Sequence, residues 1–295
     1  NNNGELGLGN TTNYSSPVQV GALTDWLKAT ASYDGGGAIK TDGTLWMWGR
    51  GTYGALAQGN TTNYSSPVQV GALTTWATLS SGYFCSSATT TDGKLYAWGY
   101  NGYGQLGQGN ATSYSSPVQV GALTTWATVA AGRQFTLAIK TDGTLWAWGR
   151  NNRGQLGQSN TTTYNSPVQV GALTNWLSVA AGKYYTKAVK TDGTIWCWGE
   201  GGQGQIGNGS NSDRSSPVQV GALTTWLQVG GAYASTLAVK TDGTLWGWGR
   251  NNSGQLGDGS STLRNSPVQI GSLTTWYEVS DQCSTSSSVF GTIVQ

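Results

Sequence analysis

The residue types that carry most enzyme chemistry are scarce in this chain. It contains no histidine, which removes the usual general base, the commonest zinc ligand and the triads that depend on imidazole. Of 13 acidic residues, five occupy the same predicted turn and are expected to serve its geometry: Asp42, Asp92, Asp142, Asp192 and Asp242. Glu200 could act as a glycosidase acid only with a second carboxylate from a neighbouring unit. No spacing supports such a pair, so no catalytic residue is predicted and an enzyme is not expected.

The candidate metal ligands are equally sparse. Cys85, Cys197 and Cys283 fall at three different positions of a repeated unit, which matches neither a disulfide framework nor a metal-ligand spacing. Their redox state is left open. Asp213 and Asp258 are candidate calcium ligands, but the chain lacks the repeated aspartate ladder of calcium-binding solenoids. We therefore predict neither a metal nor a cofactor.

Composition limits the partners and suggests a location. Charged residues are 9% of the chain, the net charge is +2, and the cations are scattered. Nucleic acids and anionic membranes attract clustered cations, and no apolar run could cross a bilayer, so neither partner is expected. A surface rich in Asn, Ser, Thr, Gly and Tyr predicts an extracellular, cell-surface or virion location. Asn1 stands in the middle of a motif, which leaves open an upstream sequence and makes a missing signal peptide uninformative.

These residues are carried by a unit that repeats every 50 residues. Near-copies of the decapeptide at 140–149 end at Gly49, Gly99, Gly149, Gly199 and Gly249, and the six prolines recur at the same spacing in Ser-Pro-Val-Gln. Such a period indicates a solenoid, a propeller or an array. Without a linker, the pattern predicts one domain over 1–295, with copies at approximately 1–49, 50–99, 100–149, 150–199, 200–249 and 250–295.

Each copy reads as four short antiparallel strands. Pro117–Val120 alternates as a first strand with proline at its start, and Trp126–Ala130 follows a glycine-rich turn. Thr136–Lys140 and Leu145–Trp148 flank Asp142-Gly143, a strong hairpin signal. Four such strands repeated about a ring describe an all-β protein, a β-propeller of six blades, or seven if upstream sequence is missing.

Tryptophan recurs at fixed positions of the copies. Side chains two residues apart on a strand face the same side, so paired indoles are expected to fill the wedge between neighbouring blades. A stacked platform for sugars or a chromophore array is the alternative. The structural set is Trp26, Trp46, Trp48, Trp76, Trp98, Trp126, Trp146, Trp148, Trp176, Trp196, Trp198, Trp226, Trp246, Trp248 and Trp276.

Gly-Gln-Leu-Gly at 104–107, 154–157 and 254–257 follows Trp-Gly and an Asn-rich turn. With the rest of the repeat it resembles the regulator of chromosome condensation repeat family over essentially the whole chain. The resemblance implies a β-propeller, usually of seven blades, whereas six copies are present here and Ser287–Gln295 reads as a terminal cap. Exchange-factor and nucleosome-binding activity would imply a basic tail and a long insertion, which the chain lacks. A secreted β-lactamase inhibitor of the family, which binds through loops on one propeller face, is closer in style.

Comparison of the copies separates variable loops from constant turns. The copies differ after the second strand and after the fourth, whereas Val-Gly-Ala-Leu-Thr and Thr-Asp-Gly barely change. Strands that alternate in direction place both variable connections at the same end of a blade. The predicted binding face therefore contains Tyr33, Asp34, Arg50, Tyr53, Tyr83, Phe84, Tyr100, Tyr103, Arg133, Gln134, Arg150, Arg153, Lys183, Tyr184, Tyr185, Glu200, Gln203, Tyr233 and Arg250.

Tyrosine and arginine are frequent interface hot spots. The sequence thus predicts a non-enzymatic recognition or adhesion module that binds a protein or a cell-surface glycan through one face. Neutral drift of exposed loops is the competing explanation of the differences. The alternative function is a structural part of a virion or surface appendage that docks through the uniform face, and a hydrolase is a distant third.

Overall fold

The computed structural model describes residues 1–22, 24–33, 35–231 and 233–280, and the backbone of 291–293. Its architecture is all-β, with a single 3-10 turn, Thr52–Gly54, among the described residues. Five antiparallel sheets of four strands and one sheet of two strands succeed one another along the chain. This is a β-propeller, and the sheets are its blades. None of the described helical segments could span a membrane.

Within each blade the strands pair in the order in which they occur in the sequence. The first two blades contain Trp26–Ala31 (β1), Gly35–Lys40 (β2), Leu45–Gly49 (β3), Tyr64–Gln69 (β4), Trp76–Ser81 (β5), Cys85–Thr90 (β6), Leu95–Gly99 (β7) and Tyr114–Gln119 (β8). The next two contain Trp126–Ala131 (β9), Phe135–Lys140 (β10), Leu145–Gly149 (β11), Tyr164–Gln169 (β12), Trp176–Ala181 (β13), Tyr185–Lys190 (β14), Ile195–Gly199 (β15) and Arg214–Gln219 (β16). The fifth contains Trp226–Gly230 (β17), Ser235–Lys240 (β18), Leu245–Gly249 (β19) and Arg264–Gln269 (β20), and the two-stranded sheet pairs Trp276–Val279 (β21) with Gly291–Ile293 (β22).

The blade count agrees with the prediction in part. Five blades have the expected four strands, and the described residues of the sixth copy form only two. Cys283 and most of the predicted cap, Ser287–Gln295, lie outside the described residues, apart from the backbone of β22.

The hairpin between the second and third strands shows why the Asp-Gly signal recurs. Gly143 has a positive φ of 75°, which glycine adopts without steric cost. Asp142 Oδ1 accepts from Thr144 N at 2.9 Å and from Thr144 Oγ1 at 2.6 Å. Thr144 Oγ1 in turn accepts from Trp146 Nε1 at 2.9 Å. These bonds fix the turn to the first indole of β11, so Asp142 and its equivalents serve geometry.

The predicted phase of the strands is wrong. Pro117 belongs to Tyr114–Gln119 (β8), which pairs with Leu95–Gly99 (β7), so it closes the preceding blade instead of opening its own. The strand also begins three residues before the proline. Proline is tolerated in the middle of β8 because β8 is the edge strand of its sheet, where an N–H can be lost.

The tryptophans lie between blades. Trp48, Trp76, Trp98, Trp126, Trp148, Trp176, Trp198, Trp226 and Trp248 are buried, and Trp26, Trp46, Trp146, Trp196, Trp246 and Trp276 are half-buried. Trp176 and Trp198 of the fourth blade share one apolar cluster with Phe135 and Leu145 of the third. Indoles pack edge to face or tilted, as at 5.9 Å between the rings of Trp176 and Trp198. Each interface is therefore an apolar core built from two copies.

The first strands of the blades surround a central channel. A cavity of about 420 Å³ is lined by residues of five copies, including Lys28, Thr78, Thr128, Ser178 and Glu278. Because these residues occupy one repeat position, every first strand presents the same side to the channel.

Candidate binding face

The variable loops meet at one end of the propeller, as the alternating strands predict. Arg150 N donates to the Gln134 carbonyl at 2.8 Å, and Glu200 N donates to the Tyr184 carbonyl at the same distance. Backbone bonds of this kind join the loop after the first strand of a blade to the residue after the third strand. We call this end, formed by the described residues of the predicted binding set apart from Tyr185, the loop face.

Aromatic rings of the first two copies form a continuous run across the loop face. Ring centroids are 4.3 Å apart for Tyr33 and Tyr83, and 4.4 Å apart for Tyr83 and Phe84. Tyr53 lies 5.7 Å from Phe84 and 4.9 Å from Tyr100. Since each ring contacts the next, the run spans two copies without a gap.

Arginines in the loops of the third blade continue the run by stacking on tyrosines of both neighbouring blades. The Arg133 guanidinium lies 4.8 Å from the Tyr83 ring centre and 5.6 Å from that of Tyr184. Arg150 lies 4.9 Å from Tyr103 and 5.2 Å from Tyr184. Arg133 Nη1 also donates to Tyr184 Oη at 3.0 Å. Cation–π contacts thus link the second, third and fourth copies.

The run ends in the fifth copy. Lys183 Nζ lies 5.1 Å from the Tyr184 ring centre and 4.3 Å from that of Tyr233, and it donates to Tyr233 Oη at 2.8 Å. Arg250 stacks on Tyr233 at 5.4 Å. We call the whole run, from Tyr33 to Arg250, the aromatic belt.

The charge of the belt is positive. No described carboxylate oxygen lies within 4.0 Å of the cationic nitrogens of Arg133, Arg150 or Lys183. Arg153, outside the belt, lies 3.9 Å from Glu200 and 3.3 Å from Asp213. Burial raises the pKa of the Glu200 carboxyl, while Arg153 and Lys183 oppose that shift. Among the described residues, these two carboxylates therefore form ion pairs with Arg153 and not with Arg133, Arg150 or Lys183.

Three further predicted residues lie at this end. Gln134 Oε1 accepts from Arg150 Nη1 at 2.6 Å, which orients that guanidinium. Arg50 stacks on Phe84 at 5.4 Å and its Nε donates to Thr52 Oγ1 at 2.8 Å. Gln203 is exposed, and its backbone N–H donates to Gln205 Oε1 at 2.7 Å. Asp34 lies outside the described residues.

Tyr185 does not belong to the loop face, which corrects the prediction. Its side chain is fully buried at the start of Tyr185–Lys190 (β14), and its hydroxyl donates to the Ser235 carbonyl at 2.8 Å. Phe135 and Cys85 are buried at the equivalent position. Because side chains alternate along a strand, the side chain at this position points into the interface between blades. Comparison of Tyr185 with Phe135 in the sequence could have excluded Tyr185 from the predicted binding face.

Sequence comparison also missed a buried cation. Lys187 lies in β14 with no exposed surface, and its Nζ donates to the Gly231 carbonyl at 2.9 Å and to Tyr185 Oη at 3.2 Å. Leu137 and Leu237 hold the equivalent position. The unusual lysine was visible as a break in an apolar column, but its partners depend on tertiary structure.

The candidate calcium ligand Asp258 is occupied by protein donors. Its carboxylate accepts from Asn251 Nδ2 at 2.9 Å, from Ser260 Oγ at 2.8 Å and from Arg264 Nε at 2.8 Å. Although burial opposes it, these bonds lower the pKa of Asp258 to about 2. In the part of the chain that is described, no three His, Cys, Asp or Glu residues cluster as metal ligands.

Solved structures of similar fold include a human protein and a yeast protein. Human WBSCR16 is 20% identical with a TM-score of 0.78, covering 88% of this chain and 70% of that one. Prp20p of Saccharomyces cerevisiae, studied for its binding to Gsp1p and histones, is 19% identical with a TM-score of 0.78, covering 92% and 69%. Another structure holds yeast RCC1 (Prp20) with Kap60, at 18% identity and a TM-score of 0.77, covering 91% and 66%. No curated protein matches the sequence.

The expected extracellular, cell-surface or virion location is wrong. The solved structures described above include a yeast protein studied for its binding to histones. These structures point away from an extracellular or virion location. A surface rich in Asn, Ser and Thr reflects the repeated turns, in which these side chains bond the backbone. Thr162 N, for example, donates to Asn160 Oδ1 at 2.9 Å. Composition therefore reported turn chemistry and not compartment.

Family models agree with the repeat. The model of the RCC1-like domain matches residues 74–292, and the model of the regulator of chromosome condensation (RCC1) repeat matches residues 42–89. The first match covers well over half of the sequence. Together with the blades and the Trp-Gly repeats, it shows that the chain belongs to the RCC1-like domain family of β-propellers.

Proposed function

We propose that the chain is a non-enzymatic recognition module, a single β-propeller domain over 1–295 that holds a partner protein against the loop face. The observation that carries this proposal is the aromatic belt. It is continuous over five copies, and it is built from the residues in which the copies differ. The constant turns form the opposite end.

The chemistry of the belt favours a protein over a glycan. Tyrosine and arginine provide large contact area and directional donors, and both are enriched in interface hot spots. The rings pack on one another edge to face or tilted, and they contact three cations, Arg133, Arg150 and Lys183, that form no ion pair with a described carboxylate. A protein surface with acidic groups near its centre would complement this arrangement. The use of the same fold by Prp20p to bind Gsp1p and histones supports protein binding.

A hydrolytic role has no comparable support. Glu200 is the acidic side chain nearest to the belt cations, but it faces Arg153, and its pKa is raised by burial. Asp213 Oδ2 lies 3.3 Å from Arg153 Nη1, so this second carboxylate is an ion-pair partner of the same arginine. The carboxylates are thus arranged as partners of a cation.

The test is capture of partners from cell extract followed by affinity measurement on one purified partner. Tyr83→Ala with Tyr184→Ala removes two rings of the belt, and Ser66→Ala with Ser166→Ala, exposed on the edge strands β4 and β12, is the matched control. We expect the belt variant to weaken binding by at least about tenfold, as hot-spot truncations do, and the control to bind normally. Tryptophan fluorescence of all variants checks that they fold. Equal binding by wild type and the belt variant would sink the proposal.

A further inference from the structure

The end of the propeller opposite the loop face is apolar at its surface. We call this end the uniform face, and define it by the constant turns at 41–44, 70–75 and their equivalents in the other copies. One ring consists of leucines that are 42% to 53% exposed. A second ring, nearer the channel, consists of leucines and a tyrosine that are 43% to 63% exposed. The first ring is Leu73, Leu123, Leu173, Leu223 and Leu273, and the second includes Leu27, Leu177, Leu227 and Tyr277.

Turn geometry does not require these leucines. Gly121 and its equivalents supply the positive φ of the turn, 62° at Gly121, and the space around them is open. Leu123 instead lines a cleft of about 440 Å³ with Trp126, Trp146 and Pro167. An equivalent cleft of about 400 Å³ beside Leu173 has the same composition. Leu123 and Leu173 therefore form the rims of apolar clefts between blades.

Each leucine stands beside an aspartate of the preceding blade. Gly143 packs against the Thr174 carbonyl, and Trp176 N donates to the Gly143 carbonyl at 3.1 Å. These contacts hold the turn of Asp142 directly against the turn of Leu173. The same contacts recur in the other copies, so aspartates and leucines alternate around the rim.

The aspartates are exposed and ionised, whereas the lysines of the same hairpins are withdrawn. Hydrogen bonds from Thr144 lower the pKa of Asp142. Lys140 Nζ lies 3.7 Å from the Trp146 ring centre and 5.1 Å from that of Trp126, and desolvation lowers its pKa. Lys190 and Lys240 are placed in the same way and are buried. The rim therefore presents anions and shields its cations, with Asp92 paired to Lys94 at 2.7 Å as the exception.

We propose that the uniform face is a second docking surface, for a cationic protein segment whose aliphatic side chains enter the leucine-rimmed clefts while its lysines or arginines meet the aspartate rim. This goes beyond recognition at the loop face and uses different residues. Charge decides the occupant. An anionic lipid surface would be repelled by the carboxylates, and two copies joined through their uniform faces would bring like charges together.

The test measures fluorescence anisotropy of labelled helical peptides composed of leucine and lysine, or of leucine and glutamate. Three variants are compared with wild type. The first carries Leu73→Ser, Leu123→Ser and Leu223→Ser; the second carries Asp42→Asn, Asp142→Asn and Asp192→Asn, in which the amide oxygen can still accept from threonine. The third is Tyr83→Ala with Tyr184→Ala on the loop face.

We expect wild type to bind the leucine–lysine peptide, and the leucine variant to bind it about tenfold more weakly. The aspartate variant should lose affinity and most of the salt dependence of binding. The loop-face variant should bind as wild type does, so this result stands apart from any failure at the aromatic belt. Equal affinity of the loop-face variant for the leucine–glutamate peptide would overturn the proposal. So would binding to phosphatidylserine vesicles, or self-association that the leucine variant abolishes, since each assigns the face to another occupant.

Discussion

Tyr184 and Tyr185 are consecutive residues whose side chains lie in different environments. Tyr184 is half-buried in the aromatic belt, whereas Tyr185 is enclosed between blades. Tyr185→Ala should therefore cost about 3 to 5 kcal/mol of unfolding free energy through cavity formation. Tyr185→Phe, which loses the hydroxyl bond to Ser235, should cost about 1 kcal/mol. Urea denaturation measures both, and Tyr184→Ala serves as the control with little expected loss. A Tyr184→Ala variant as unstable as Tyr185→Ala would contradict this assignment.

Lys187 offers a second test at the same scale. Burying a cation between blades is costly, and Lys187 Nζ donates to the Tyr185 hydroxyl and the Gly231 carbonyl there. Leucine already fits the equivalent position in the third and fifth copies. Lys187→Leu should thus raise the unfolding free energy by about 1 kcal/mol. The measurement is the urea midpoint of unfolding. Lys140→Leu serves as the comparison, and we expect it to destabilise the protein because it loses contacts with two indoles. A less stable Lys187→Leu variant would show that the lysine bonds outweigh the desolvation.

Asp258 predicts a dependence of stability on pH. Its folded pKa is depressed from 3.8 to about 2. The stabilisation by the Asp258 carboxylate is complete above pH 3.8, because the carboxyl is then ionised in both the folded and the unfolded state. This stabilisation is lost as the pH falls toward about 2. Asp258→Asn should be less stable than wild type at neutral pH by about 2 kcal/mol. The difference in urea midpoint between the two proteins should shrink below pH 4, the region of this titration. A constant difference across the range would exclude this carboxyl as its source.

At the scale of elements, the hairpin was predictable because its geometry is local. Asp-Gly fixes the turn, and the β-branched and aromatic runs fix the flanking strands. Phase was not predictable in the same way. A tandem array looks the same wherever the unit is cut, so Pro117 could be assigned to either neighbour until pairing of β8 with β7 was known.

The hairpin bonds can be tested directly. Thr144→Val keeps the shape of the side chain but removes the acceptor of Trp146 Nε1 and a donor to Asp142. We expect a loss of about 1 to 2 kcal/mol and faster hydrogen exchange of the amides in this turn. Native hydrogen exchange measures the local effect, and Thr174→Val, on the adjacent turn, is the control. Unchanged exchange at Thr144 would mean that backbone geometry alone holds the turn.

The candidate site, too, was predictable from the sequence only in part. Alternation of strands was enough to gather the variable loops at one end. It could not show that Arg133 lies between Tyr83 and Tyr184, because the stacking depends on the rotation between blades. The exposed leucines of the uniform face were not predicted, for a different reason. A recurring leucine such as Leu123 looks like a core residue in a sequence, and only its exposed surface distinguishes it.

At the scale of the molecule, stability should vary around the ring. Inner copies bury their first tryptophan almost completely, with Trp126 and Trp176 each 3% exposed, whereas Trp26 and Trp276 are half-buried. In a repeat protein, stability is close to a sum of unit and interface contributions. Amides of β1 and β21 should therefore exchange faster than those of β9 and β13. Hydrogen exchange with mass spectrometry tests this, and uniform protection around the ring would contradict it.

The stacking of Arg133 between tyrosines of two neighbouring copies has a consequence for how such proteins can be diversified. A copy of this propeller is not an independent unit, since its loop residues contact residues of the copies on either side. Exchanging one copy for another would change two junctions at once, and a loop selected in one neighbourhood would be presented differently in the next. Libraries built on this scaffold should therefore vary adjacent copies in pairs, and natural drift in one loop should constrain its neighbours.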